Sequence, residues 1–158
     1  MVESIVINTS PLIALGQMQL FDVAAQMPFR FVCPPEVAAE IASGQAKGYA
    51  ISLPAWLEVL SLAAPLSPLS AATLDAGEAA VIQLALEQGI KIVCIDDLKG
   101  RRAAIAVGLQ IVGSLGLLGK AKTLGLINSA RPYIEQAQAA GIYYRPKLVE
   151  AFLQSLNE

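Results

Sequence analysis

Two adjacent carboxylates, Asp96 and Asp97, end the stretch Ile90-Lys91-Ile92-Val93-Cys94-Ile95. Four apolar residues in a row, Ile92 to Ile95, suit a short strand covered on both faces, the usual state of a central strand in a parallel sheet. Such sheets carry their chemistry at the carboxyl ends of their strands. A second polar stop of this kind is Asn8, which follows the apolar run Ser4-Ile5-Val6-Ile7. In a parallel sheet Asn8 and Asp96 fall on one rim, and Glu40 and Glu78, on predicted helices, can lean toward it. Clustered carboxylates raise one another's pKa unless a divalent cation relieves them. Such a cation lowers the pKa of a bound water and draws charge from a phosphate, which suits hydrolysis of a phosphodiester.

Composition narrows the alternatives. The chain contains no histidine, so a serine or cysteine triad lacks its imidazole base and a catalytic zinc site lacks its usual ligands. Chemistry on carboxylates and hydroxyls favours hard cations such as Mg²⁺ or Mn²⁺. Cys33 and Cys94 each lie at or near the end of an apolar strand and read as buried free thiols of a cytoplasmic protein. The net charge of −2 is unevenly spread: residues 1–95 hold eight acids and three bases, residues 96–158 five acids and eight bases. Lys99, Arg101 and Arg102 follow the acid pair directly. They are either a solvated helix face or a local landing place for phosphates.

The elements that must position these groups follow from periodicity and caps. Ser10-Pro11 is a helix start, with the hydroxyl as cap and proline at the first helical position, and that helix is predicted to run through Met18 and on to Ala25. Phe29 to Cys33 is the second strand, and Pro34-Pro35 opens a helix that Ser43-Gly44 ends. Glu36 and Glu40 share a face of it; first-turn dipole complementation accounts for Glu36, whereas Glu40 lies deeper. Residues 44–55 read as loop or short irregular helix, Trp56 to Leu62 as a third strand, and residues 63–72 as a connection. Asp75 and Glu78 have the spacing of a capping box ahead of a helix that stops before Gly89. Glu78 is either the reciprocal cap or a site carboxylate, and Asp97 either a ligand or the cap of the next helix. Leu98 to Val107 is that helix, Gln110 to Val112 a fifth strand, and residues 114–124, 130–140 and 146–156 are helices.

Strands alternating with helices define an α/β protein with a mostly parallel sheet. At 158 residues the chain has the size of one domain and no internal linker. The hydrophobic fraction of 55% exceeds what one core needs, which points to a subunit interface. Leu148, Val149, Phe152, Leu153 and Leu156 form an apolar stripe for the core or for a partner. The longest uncharged run, Ala103 to Gly119, is broken by glycines and does not suit a membrane span. No basic region or cleavage signature precedes the first strand, so no secretory signal is expected.

At these residues the chain resembles a known family. Ile7-Asn8-Thr9-Ser10-Pro11-Leu12-Ile13, Glu40-Ile41, Asp75-x-Gly77-Glu78-Ala79 and Ile95-Asp96-Asp97 followed by Gly100-Arg101 look like the PIN domain, most of all its uncharacterised prokaryotic branch related to VapC toxins. The resemblance implies a three-layer α/β/α sandwich around a central sheet of about five strands, spanning residues 1–158 as one domain. The helices of about 128–158 then pack on it or form an interface. It also implies an Mg²⁺- or Mn²⁺-dependent endoribonuclease of toxin–antitoxin type acting through a metal-activated water, with RNA as substrate, a cognate antitoxin and a homodimer as partners, and no membrane. Glu40, Glu78 and Asp96 match the acidic positions, Ser10 matches the hydroxyl beside the first of them, and Asn8 stands at that first position. Asn8, Glu78, Asp96 and Asp97 are the implied ligands, and Ser10, Lys99, Arg101 and Arg102 the substrate contacts. Asn8 departs from the family's usual aspartate; its amide oxygen can ligate a cation but brings no charge. A second reading is therefore a catalytically weak or inert PIN-like module that binds a partner protein or RNA. A phosphoacceptor receiver domain ranks third, because it needs its acid pair after the first strand.

Overall fold

The structure is a computed structural model that describes residues 2–46 and 51–158. Its elements run β1 (Glu3–Ile7), α1 (Thr9–Gln17), α2 (Phe21–Ala24), β2 (Phe29–Cys33), α3 (Pro35–Ala46), β3 (Glu58–Val59), α4 (Pro68–Thr73), α5 (Ala76–Gln88), β4 (Ile92–Cys94), α6 (Leu98–Ala106), β5 (Gln110–Val112), α7 (Ser114–Thr123), α8 (Arg131–Ala139) and α9 (Pro146–Ser155). The strands form one sheet in the order β3-β2-β1-β4-β5, and every adjacent pair is parallel. Ile5, Val6 and Ile7 are all buried, although successive strand side chains point to opposite faces. Helices must therefore cover both faces, which makes an α/β/α sandwich.

The strand order decides where the chemistry can sit. From β1 the chain winds outward through β2 and β3, then returns to lay β4 against the other side of β1. The winding direction reverses between β1 and β4, and in open parallel sheets the ligand crevice lies at that reversal, outside the carboxyl ends of the strands. Ile7 pairs with Cys94 there, so Asn8 and the Ile95-Asp96-Asp97 turn leave the sheet side by side.

Several elements differ from the sequence expectation, each for a local reason. Helix α1 begins two residues earlier than the Ser10-Pro11 signal suggests: Asn8 is its cap residue, and Pro11 falls in the first turn, where a missing N–H costs nothing. It ends at Gln17 rather than near Ala25, because Gln19 adopts a left-handed φ of 56° and turns the chain into the short α2. Helix α3 continues past Ser43-Gly44 to Ala46, and residues 47–50 of the expected loop lie outside the described residues. The third strand shrinks from residues 56–62 to Glu58–Val59. Trp56 instead folds against Phe21 and Phe31 and donates its indole N–H to the Phe21 carbonyl at 3.0 Å. Part of the connection at residues 63–72 is helical, as α4.

The last helices belong to the same core. Ile134, Ala137 and Leu153 are buried within it, and Phe152 and Leu156 lie over Gly119 of α7, where a Cβ would press on the Phe152 ring at 3.0 Å. The Glu158 carboxylate closes this region. It accepts from the Ala130 amide at 2.7 Å and the Lys122 ammonium at 2.9 Å on one oxygen, and from Ser129 Oγ at 2.5 Å and the Arg131 amide at 3.1 Å on the other. No helix among the described residues is long and apolar enough to cross a membrane.

Candidate active site

Asn8 stands at the mouth of the reversal. Its backbone N–H continues the sheet by donating to the Cys94 carbonyl at 3.0 Å, while its side chain makes no capping bond to α1. The residue is buried and its Oδ1 has no hydrogen-bond partner. Leaving a buried acceptor unpaired costs about 1–3 kcal/mol. An amide oxygen kept in that state at a strand end is open to a cation or to a donor from a ligand.

The next residue, Thr9, reaches across to α3 and donates its hydroxyl to Glu40 Oε2 at 2.8 Å. Glu40 is exposed at the rim, and its other carboxylate oxygen rests over Gly77, where any Cβ would overlap it. Gly77 thus lets Glu40 approach the turn that carries Asp75 and Glu78. In that turn Asp75 Oδ1 accepts the Glu78 amide at 2.8 Å and caps α5, as the capping spacing predicts.

Glu78 is the most perturbed acid of the site. It is buried, and its carboxyl lies against Gly100 of α6. Burial pushes its pKa up to about 7, and the charges of Asp75 and Asp97 and a hydrogen bond with Asp97 push the same way. A cation placed beside these acids would favour the ionised form of Glu78. Asp97 also caps α6, accepting the Lys99 and Gly100 amides at 3.1 and 3.2 Å on Oδ2. Capping and contact with Glu78 are thus combined in one residue.

Asp96 turns toward β5 and α7. Its Oδ1 accepts the Ser114 amide at 2.7 Å and its Oδ2 accepts the Ser114 hydroxyl at 2.8 Å. Ser114 is fully buried, and its Oγ lies 2.6 Å from the Tyr144 hydroxyl. The Tyr144 phenol is pushed up to about 12, mainly by burial. Gly113 keeps this corner open, because a Cβ there would come within 2.8 Å of Asp96 Oδ1 and 2.6 Å of Arg101 Nη2. Arg101 Nε donates to the Ile95 carbonyl at 2.8 Å. The Cys94 thiol behind this corner is fully buried and its pKa is pushed well up, first by burial and then by Asp96, which keeps it protonated and unreactive.

Asn8, Glu40, Glu78, Asp96 and Asp97 therefore share the rim, linked through the Asn8–Cys94 ladder, the Thr9–Glu40 bond, the Glu40–Gly77 contact and the Glu78–Gly100 contact. They do not fuse into one cluster. Among the described residues no group of three acidic or cysteine side chains stands close enough to hold a metal by itself. Ser10, Lys99 and Arg102 are exposed beside the rim, whereas Arg101 is partly buried and tied to the backbone. Sequence reasoning passed over Thr9, Ser114 and Tyr144. Ser114 carries a usable signal, a hydroxyl opening a helix directly after a strand, and Thr9 adjoins Asn8. Tyr144 carries none.

The donors suit a hard divalent cation on their chemistry. They are all oxygens, one is a buried acceptor without a partner, and one carboxyl has its pKa raised by burial and by acidic neighbours that a cation would relieve. The fold and rim together define a parallel-sheet protein with oxygen donors at its strand reversal. A family model, DUF3368, described as PIN domain, matches residues 4–158, and the chain belongs to the PIN domain family. PIN domains are generally nucleases and typically use divalent metal ions. No curated protein matches the chain at a significant level.

Proposed function

We propose that the protein is a metal-dependent endoribonuclease of toxin–antitoxin type. The single observation that carries this reading is the buried, unpartnered Asn8 Oδ1 at the β1/β4 reversal, next to the turn that bears Asp96 and Asp97. Asn8, Glu78, Asp96 and Asp97 are the residues that would hold Mg²⁺ or Mn²⁺, and the bound ion would supply charge neutralisation at the phosphate and a more acidic water. Glu40, hydrogen-bonded by Thr9, would accept a proton from the attacking water. Exposed Lys99 and Arg102 would hold RNA phosphates, with the Ser10 hydroxyl as a further contact. Arg101 would act from its place under the Asp96 turn rather than as a mobile surface cation.

The partners belong to the same proposal. Leu98 and Ile105 on α6 and Leu148 on α9 are about half exposed, apolar side chains that a second copy of the chain or a cognate antitoxin would cover. Free thiols at Cys33 and Cys94 fit a reducing, cytoplasmic setting.

The test is cleavage of a mixed RNA pool in Mn²⁺ by the native chain, Asp96→Ala and Asn8→Asp. Native cleavage that Asp96→Ala cuts by at least about a hundredfold is expected, a loss at the upper end of what even outer-shell partners of a metal cause. Asn8→Asp should bind Mn²⁺ more tightly. Equal cleavage by Asp96→Ala would remove the site. The second reading, an inert PIN-like module that binds protein or RNA, draws on the amide at position 8 and on the missing three-acid cluster among the described residues. Calorimetric titration with Mn²⁺ separates the two, since no heat at millimolar metal favours the inert module.

A further inference from the structure

We infer that Tyr144, in the segment joining α8 to α9, is a positioning residue for Asp96, acting through Ser114. The inference rests on the proposed metal site but concerns residues that reading does not use. A serine hydroxyl has one proton to donate. Ser114 spends it on Asp96 Oδ2 at 2.8 Å, so in the 2.6 Å contact between Ser114 Oγ and Tyr144 Oη the tyrosine must be the donor. The hydrogen bonds therefore run in one direction, from Tyr144 to Ser114 to Asp96.

This direction has a physical consequence. A hydroxyl rotor is indifferent to direction until a partner fixes it. With Tyr144 donating to its oxygen, the Ser114 hydroxyl has its proton left for the carboxylate. The Ser114 amide binds the other oxygen at 2.7 Å, so both oxygens of Asp96 are held by one residue at the first turn of α7. Each oxygen keeps a second lone pair, which is what a cation at the rim would use. Asp96 is thereby set by a tyrosine 48 positions away (144 − 96), and the last helices become part of the site. Ser114 is fully buried and Tyr144 partly so, whereas the neighbouring Tyr143 is 73% exposed and offers a control.

The experiment compares the full-length native chain with Tyr144→Phe, Ser114→Ala and Tyr143→Phe. Mn²⁺ affinity is measured by calorimetry, kcat and KM on an RNA oligonucleotide, and hydrogen exchange of the Ser114 amide in metal-free protein. Tyr144→Phe should weaken Mn²⁺ binding roughly tenfold to a hundredfold, the usual cost of losing an outer-shell partner, and lower kcat with little change in KM. Its Ser114 amide should exchange faster without metal. Ser114→Ala should lose at least as much affinity, and Tyr143→Phe should match the native chain throughout. Native-like Mn²⁺ affinity and kcat in Tyr144→Phe overturn the inference while leaving the metal site standing. If the native chain binds no Mn²⁺, the metal reading fails on its own account and the amide decides: faster exchange in Tyr144→Phe upholds the wiring to Asp96, and unchanged exchange overturns it.

Discussion

Two carboxylates, Glu78 and Glu158, mark two regions of opposite character. Glu158 is surrounded by donors. Burial alone would raise its pKa, but the Ala130 amide, Ser129 hydroxyl, Lys122 ammonium and Arg131 amide outweigh burial and hold it at about 2. Glu78 is surrounded by acids, and burial with Asp75 and Asp97 pushes it to about 7. The first arrangement staples α8 to the end of α9 and is complete as it stands. The second is electrostatically unfinished, and the unpartnered Asn8 Oδ1 lies on the same rim. Perturbation from missing countercharge, rather than perturbation as such, distinguishes a candidate site from a structural clasp.

The sharpest way to break this comparison is Glu78→Gln. Mn²⁺-dependent RNA cleavage should fall by at least about a hundredfold, while the metal-free protein melts higher at pH 8, because a buried charge among acids has been removed. A lower melting point at that pH would mean that Glu78 is a structural group like Glu158. Next in size is Gly77→Ala. Its Cβ displaces the Glu40 carboxyl, the flexible end of a side chain, so cleavage should drop on the order of tenfold with the melting temperature nearly unchanged. Should cleavage persist, the Thr9–Glu40 pair is dispensable.

Glu158→Ala attacks the other side and should destabilise the fold by about 0.5–2 kcal/mol, the range for a lost helix cap, with Mn²⁺ affinity unaltered. Thermal unfolding and calorimetry read the two arms. The pH dependence of metal-free unfolding sharpens the contrast, because the two acids have opposite signs. Glu158 titrates in the fold below the ordinary 4.5, so its contribution is present above 4.5 and is lost as pH falls through about 2. Glu78 titrates above 4.5, so the fold is favoured below 4.5 and loses stability as pH rises through about 7. Stability should therefore peak near pH 4.5, and saturating Mn²⁺ should flatten only the upper limb. A profile flat from pH 4.5 to 8 without metal would contradict the account of Glu78. The smallest effect is a control far from both acids: Gln19→Gly relieves the left-handed φ of 56° at some cost in chain flexibility, a net gain of about 0.5 kcal/mol that shifts neither limb.

Much of the candidate site was legible because its signals are local. An apolar run stopped by Asp96-Asp97, another stopped by Asn8, and the Asp75–Glu78 spacing each express burial or capping within a few residues. Where local signals competed, the reading slipped. Ser10-Pro11 has the form of a cap, yet the chain leaves β1 already turning, so Asn8 holds the cap position and Thr9, not Ser10, reaches Glu40. Trp56 to Leu62 has strand-like residues, but the aromatic packing of Trp56 on Phe21 and Phe31 leaves only Glu58–Val59 to pair.

The amino-acid sequence by itself determined which groups stand at the ends of strands and that none of them is an imidazole, because side-chain periodicity and composition need no partner to be read. Only the tertiary structure decided which of those groups meet. The order β3-β2-β1-β4-β5 places Asn8 beside the Asp96 turn, and the packing of α7 to α9 brings Ser114 and Tyr144 to Asp96. Contacts across 18 and 30 positions depend on how elements stack, and the pattern within any one element is silent about that.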